Sequence, residues 1–193
     1  MEKVSVVIAR WFINKNVLPA EDEELYAYAI SCLLITVSPL FLVLVIGACL
    51  KLIVEGIVII VPFMIIRTFS GGVHSGSPGR CFVISTGILL VLFMLTKVIK
   101  NSELLSIIML AGCISLMICS PIENENKQLS DNEKKVYKRM TRIWVCVFAA
   151  IYYVLGYLGL NTYAVCVALG ILLTAILQIP CLMRKMCSKA SCK

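Results

Sequence analysis

Charged residues are scarce in this 193-residue chain, making up 15% of it against 60% hydrophobic residues. Soluble domains are about a quarter charged and about half apolar. This composition therefore excludes an ordinary soluble domain and predicts a protein that is solvated mainly by lipid. The first residues lack the long apolar core and the small-residue cleavage site of a secretory signal peptide, so we expect no cleavable leader.

Histidine is rarer still, because His74 is the only one in the chain. The ten cysteines are irregularly spaced and form no C-x-x-C pair, which argues against structural zinc, and a single imidazole cannot build a His-rich metal site. We therefore predict no metal and no cofactor. Most of the thiols are interpreted as small hydrophobic groups that pack between helices.

The hydrophobic residues are grouped in six segments, at 27–50, 52–66, 82–99, 104–119, 143–160 and 163–183. A full crossing of a bilayer needs about 20 apolar residues, so 52–66 and 104–119 are short. Ahead of these segments, apolar residues at helical spacing over 3–16 predict an amphipathic helix that lies in the membrane interface. We predict one all-α polytopic membrane domain over 1–193, with about six hydrophobic helices and four to six full transmembrane spans.

Lysine and arginine predict how the chain is oriented in the membrane. If both termini share one side with the hydrophilic segments 67–81 and 120–142, that side carries fifteen of the eighteen basic residues. This bias predicts an N-in, C-in protein of the plasma membrane with both segments on the cytoplasmic side, where anionic lipid attracts the net charge of +7. Nucleic-acid binding explains the charge less well, because the basic residues are spread through short juxtamembrane loops.

The segment 120–142 is the longest hydrophilic stretch of the chain. Ser130 and Glu133 have the spacing of a capping box, which predicts a short basic helix leading into the fifth hydrophobic segment. The basic residues are interpreted either as a solvated anchor or as a docking surface for an acidic peptide.

The segment 67–81 brings the imidazole close to a thiol, because His74 precedes Cys81 by seven residues. An imidazole and a thiol are the minimum pair for nucleophilic attack on a carbonyl, since the base takes the proton and the thiolate attacks. Seven residues of straight helix extend about 10.5 Å, so the two side chains can meet only if the chain turns between them. The sequence Ser-Gly-Ser-Pro-Gly at 75–79 can supply that turn, and Pro78 suits the first position of a new helix.

Cys81 is better placed as a nucleophile than the other cysteines. The first turn of a helix and the neighbouring Arg80 both favour the thiolate, and free N–H groups in that turn can stabilise an oxyanion. Gly71 and Gly72 allow backbone or substrate to approach closely beside the base. The candidates to orient the imidazole are Glu55, Ser70, Ser75 and Ser85, and the sequence does not choose among them. A plain polar loop at the membrane edge explains the same residues without catalysis.

The pattern R-x-F-S-G-G-x-H-x6-C between two hydrophobic segments resembles that of the accessory gene regulator B (AgrB) family. These are bacterial membrane cysteine endopeptidases of peptide quorum sensing, and the resemblance covers nearly the whole chain. It implies that His74 is the catalytic histidine and Cys81 the nucleophile. It further implies that Arg67, Gly71 and Gly72 are accompanying motif positions.

The same resemblance implies a substrate similar to AgrD, a propeptide with an amphipathic leader, a central signal segment and an acidic C-terminal tail. Cys81 would release the tail and form an acyl-thioester, and a thiol or hydroxyl of the signal segment would then close a thiolactone or lactone ring. By charge complementarity, we expect the acidic tail to be held by Lys134, Lys135, Lys138 and Arg139. The expected partners are this propeptide and the lipid bilayer, and we expect no nucleic acid. Whether the protein forms a homodimer is left open by the sequence.

Two other classes of protein compete with this interpretation. One is a small polytopic transporter in which His74 and Glu55 handle protons and the His/Cys loop is not catalytic. It is weakened by the absence of an internal repeat and of a matched pair of broken helices. The other is a non-enzymatic membrane scaffold, which predicts that substitutions in the loop are neutral.

Overall fold

A computed structural model of the chain describes residues 2–15, 19, 22–71, 78–99, 102–122 and 130–191. In these ranges the chain forms seven α-helices and no strand. The helices are α1 (Glu2–Asn14), α2 (Glu23–Leu50), α3 (Ile53–Ser70), α4 (Pro78–Val98), α5 (Glu103–Cys119), α6 (Asp131–Tyr157) and α7 (Asn161–Ser191). The all-α prediction is confirmed, and six helices follow α1.

Three helices of the described chain are long and apolar enough to cross a membrane: α3, α6 and the Asn161–Pro180 part of α7. Helix α5, with 17 residues, is short as predicted. Segment 52–66 differs from its prediction because α3 continues to Ser70. In that added turn the Arg67 guanidinium lies 5.5 Å from the centroid of the Phe63 ring, one helical turn back, and this contact favours the helix past the apolar run. The predicted total of four to six full spans stays a prediction.

Helix α7 is the centre of the bundle, and α3, α5 and α6 pack around it. The core that they share contains Ile59, Ile66, Met109, Leu116, Val145, Phe148, Tyr152, Val165 and Ile171. Gly170 brings two helix backbones together, since a Cβ there would meet the carbonyl oxygen of Ile59 at 2.5 Å. Such small residues at helix contacts are typical of membrane bundles, where close packing replaces hydrophobic exclusion between helices.

A second, smaller core joins α2 and α4 to the other face of α3. It contains the buried side chains Val43, Ile60, Leu89 and Phe93. Helix α1 packs on α2, and the Arg10 guanidinium lies 2.7 Å from the Glu23 carboxylate at the start of α2. Both partners of that ion pair are exposed, so it contributes orientation more than stability.

Helix α6 begins at the predicted capping box, which is confirmed. The Ser130 hydroxyl accepts from the Glu133 N–H, and the Glu133 carboxylate accepts from the Ser130 N–H at 2.8 Å. These bonds satisfy two of the N–H groups that a helix start leaves free. The helix then continues without a break to Tyr157. The predicted basic helix and the fifth hydrophobic segment are therefore one continuous helix.

Candidate active site

The segment that carries the predicted catalytic pair runs between two helix ends. Arg67 and Ser70 belong to the last turn of α3, and Pro78 begins α4 as predicted, so helices extend into both ends of segment 67–81. The backbone of Cys81 lies in the first turn of α4 and is helical there. Arg80 shares that turn. His74, Gly72 and Ser75 lie outside the described residues, and the pairing of imidazole and thiol stays a prediction.

Gly71 ends α3 in a backbone conformation that only glycine adopts without strain. Its φ is 74° and its ψ is −169°, and its N–H donates to the Arg67 carbonyl. A Cβ at this position would also collide with the carbonyl oxygen of Ile122, which lies near the start of the second hydrophilic segment, 120–142. Two independent constraints therefore require glycine at position 71.

Buried hydrogen bonds tie this helix end to two other parts of the chain. The Ser70 carbonyl accepts from the Ile122 N–H at 3.0 Å and from the Gln178 side-chain amide at 3.3 Å. The same amide nitrogen donates to the Ser120 hydroxyl at 2.8 Å. We call the five residues Ser70, Gly71, Ser120, Ile122 and Gln178 the polar junction. Its hydrogen bonds show that the two hydrophilic segments start at the same end of the bundle.

Three of the four candidates to orient His74 lie in the described residues, and their positions differ. Glu55 lies in the first turn of α3, sixteen residues before Gly71, which is about 24 Å along the helix axis. It therefore sits at the far end of α3 from the loop. Ser70 is fully buried, and its hydroxyl donates to the Gly71 carbonyl at 3.3 Å. Ser85 lies one turn after Cys81 on the same face of α4.

The predicted docking residues lie on the first turns of α6. We call Lys134, Lys135, Lys138 and Arg139 the basic face, since spacings of three and four residues place them on one side of the helix. Three of them are exposed, whereas Lys134 is half-buried and lies 3.7 Å from the Asp131 carboxylate. The Tyr137 ring is 5.9 Å from the Phe69 ring of α3. The basic turn is thereby packed beside the helix end that leads into the segment of the predicted catalytic pair.

The sequence reasoning did not single out Ser120, Ile122 or Gln178. A signal for Gln178 was present, because it is the one amide in the apolar segment 163–183, and polar residues inside membrane segments generally have a role. No such signal exists for Ile122, because it takes part in the polar junction only through its backbone N–H and carbonyl groups. Within the described ranges, no group of three or more His, Cys, Asp or Glu residues is arranged to hold a metal ion.

Comparison with known proteins matches almost the whole chain to one family. A family model described as accessory gene regulator B matches residues 5–179, a range that contains the polar junction, the basic face and both predicted catalytic residues. A curated protein of Clostridium perfringens (strain 13 / Type A), named as AgrB-like, is 25% identical over 150 residues, which cover 74% of this chain and 69% of that protein. No solved structure gives a significant match.

Proposed function

The chain belongs to the accessory gene regulator B family, and on that premise we propose that it is a membrane cysteine endopeptidase that processes an AgrD-like propeptide. Membership confirms the resemblance seen in the motif around His74 and places the protein in the accessory gene regulator system. The observation that carries the proposal is the position of Cys81 in the first turn of α4, seven residues after the one imidazole. A thiol at a helix start, beside a base, is the arrangement that favours a nucleophilic thiolate.

In the proposed first step, His74 takes the proton from the Cys81 thiol and the sulfur attacks the carbonyl carbon of the bond before the acidic tail. Backbone N–H groups in the first turn of α4 stabilise the negative oxygen that develops. His74 then returns the proton to the leaving nitrogen as the C–N bond breaks. The tail departs as a free peptide, and the remainder of the propeptide stays on Cys81 as an acyl-thioester.

In the proposed second step, His74 takes the proton from a thiol or hydroxyl inside the signal segment, and the sulfur or oxygen attacks the thioester carbonyl. The Cys81 sulfur leaves as a thiolate, and the signal segment closes into a thiolactone or lactone ring. Water competes for the same carbonyl, so a site that excludes water favours cyclisation over hydrolysis. Exchange of one thioester for another is nearly neutral in energy, and removal of the products draws the reaction forward.

We place this chemistry at the cytoplasmic face of the bacterial cell membrane, in a multi-pass protein with both termini inside. The distribution of fifteen basic residues against three supports that orientation. Helix α1 exposes the apolar side chains Val4, Val7 and Trp11, which suit burial in the membrane interface. An amphipathic leader bound to the same leaflet would present its peptide bond at headgroup depth.

The acyl-enzyme provides the direct test of this function. The protein is purified, placed in liposomes and mixed with a synthetic propeptide that has an amphipathic leader and an acidic C-terminal tail, and the reaction is stopped with acid. We expect the Cys81-containing peptide to gain the mass of the leader and signal segment, and hydroxylamine to remove that mass because it cleaves thioesters. Release of the tail without any adduct on Cys81, in a time course that covers the first turnover, would exclude the covalent route.

The basic face gives a second prediction. Reversing the charges at Lys134, Lys135, Lys138 and Arg139 to glutamate should raise the KM for an acidic-tailed propeptide about tenfold, because these side chains then repel the tail, and added salt should reduce the difference. Tail release is measured by mass spectrometry across a salt series. Lys97→Glu is the matched control, since Lys97 is exposed at the other end of α4. Equal KM values for the wild type and the fourfold variant at low salt would remove the docking role.

The transporter alternative receives no support from the fold. It assigns proton handling to His74 and Glu55, and Glu55 lies in the first turn of α3, at the opposite end of that helix from Gly71.

A further inference from the structure

Gln178 joins three parts of the chain from inside the bundle. It lies on α7 and is 1% exposed. Its amide nitrogen donates to the Ser70 carbonyl and to the Ser120 hydroxyl, so its donors are directed to the ends of α3 and α5. Ser70 lies near the start of segment 67–81, which carries His74, and Ser120 begins segment 120–142, which leads into the basic face. A single side chain therefore contacts the starting points of both hydrophilic segments.

The other half of this amide limits what Gln178 contributes to stability. The Gln178 carbonyl oxygen is buried and has no hydrogen-bond partner among the residues that the structure describes. A buried acceptor without a partner costs about as much free energy as two ordinary hydrogen bonds contribute. A methionine would fill a similar volume without leaving a polar atom unpaired. Within the described residues, the amide therefore adds less to folding than its two donated hydrogen bonds alone would, and its main effect is to hold two chain segments in place.

We propose that Gln178 is a positioning residue of the peptidase. By holding the Ser70 carbonyl, it fixes the point at which the chain leaves α3, one residue before Gly71 and four before His74. Through the Ser120 hydroxyl it fixes the second hydrophilic segment to the same point. An error of about 1 Å in the placement of a catalytic group can cost on the order of 100-fold in rate. This inference rests on the proposed function, since it concerns the placement of His74 relative to Cys81.

The first test compares Gln178→Met with the wild type in liposomes, using the acidic-tailed propeptide as substrate. We expect kcat to fall roughly 10- to 100-fold with KM unchanged, while the melting temperature stays within about 3 °C. A merely structural residue would give the opposite result, with a lower melting temperature and an unchanged kcat per folded molecule. That result would overturn the proposal.

Two further variants make this comparison sharper. Ser120→Ala removes one acceptor of the Gln178 amide and should lower kcat by a smaller factor, and adding it to Gln178→Met should cause little further loss because both act through one hydrogen bond. It also serves as the test variant if Gln178→Met does not fold. Thr174→Val is the matched control: Thr174 is equally buried on α7, one turn earlier, but its hydroxyl bonds the Gly170 carbonyl of its own helix. We expect Thr174→Val to retain full activity.

A second measurement follows the reactivity of Cys81 without a propeptide. Together with tail release, it distinguishes failure of the positioning role from failure of the proposed function. Iodoacetamide is added over a range of pH, and alkylation of each cysteine is followed by mass spectrometry. In the wild type, we expect Cys81 to react at lower pH than the thiol of a short unstructured reference peptide added to the same sample, and in Gln178→Met we expect its profile to move towards that of the reference thiol. If the wild type releases no tail, the proposed function fails. If the wild type releases the tail, but Gln178→Met matches it in kcat and in the Cys81 profile, only the positioning role fails.

Discussion

The Cys81→Ala protein should release no acidic tail, and His74→Ala should be equally inactive. Without the thiol there is no atom to form the acyl-enzyme, and without the imidazole the thiol keeps its proton, so each loss is expected to reach on the order of 10⁴-fold or more. Because both residues serve one step, the double variant should be no worse than either single variant. The measurement is co-expression with the propeptide, followed by mass spectrometry of the released tail.

Other cysteines of the same chain supply the controls for this prediction. Cys49 and Cys146 are free and exposed on α2 and α6, and their replacement by alanine should leave processing unchanged. Cys113 and Cys166 are free but buried, so their replacement tests packing in the core. Tail release by the Cys81→Ala protein at the wild-type rate would end the assignment of a cysteine peptidase. It would leave the scaffold or the transporter as the interpretation to pursue.

Gly71→Ala should have the second largest effect. Alanine at φ 74°, ψ −169° is strained by roughly 1–3 kcal/mol. Its Cβ would in addition collide with the Ile122 carbonyl, which is backbone and cannot rotate away. The end of α3 must therefore separate from the second hydrophilic segment, and we expect loss of most tail release together with a lower melting temperature. Activity and thermal unfolding are measured on the same purified protein.

Gly87→Ala is the matched substitution for this experiment. Gly87 lies within α4, and a Cβ there would meet nothing within 4 Å. Alanine is favoured over glycine by about 1 kcal/mol inside a helix, so this variant should be as stable as the wild type or more stable, and fully active. A Gly71→Ala protein that behaves like Gly87→Ala would show that the contact between Gly71 and Ile122 is absent from the working protein.

The sequence predicted those helix boundaries that depend only on residues close to them in the chain. Pro78 begins α4, and the reciprocal bonds of Ser130 and Glu133 begin α6, as their residue types indicated. The end of α3 was less predictable from hydropathy. The added turn is polar, and a helix there depends on the contact of Arg67 with Phe63 and on the Gly71 cap, neither of which a hydropathy profile contains.

In the candidate site, too, the features set by local sequence were predictable, and those set by tertiary contacts were not. The positions of Cys81 and the basic face follow from helix starts and helical spacing, which can be seen in the sequence. The polar junction cannot be seen in the sequence, because Gln178 donates hydrogen bonds to Ser120 and Ser70, which lie 58 and 108 positions earlier in the chain. That pairing exists only because α7 occupies the centre of the bundle. The meeting of His74 with Cys81 stays a prediction, since His74 is outside the described residues.

The unbroken course of α6 has a consequence for how deep the chemistry lies in the membrane. A helix of 27 residues is about 40 Å long, close to the full thickness of a bilayer including its headgroups. One end carries the basic face and the other ends in Tyr157, a side chain that is 92% exposed. Lysine and tyrosine both favour the headgroup region, so in the proposed membrane placement the two ends of α6 would be anchored at opposite surfaces of the bilayer. Phe69 contacts Tyr137 in the second turn of α6, so in the proposed membrane placement the end of α3 would lie just below one membrane surface. A change in lipid thickness would then move the proposed catalytic residues relative to the proposed propeptide substrate on that surface.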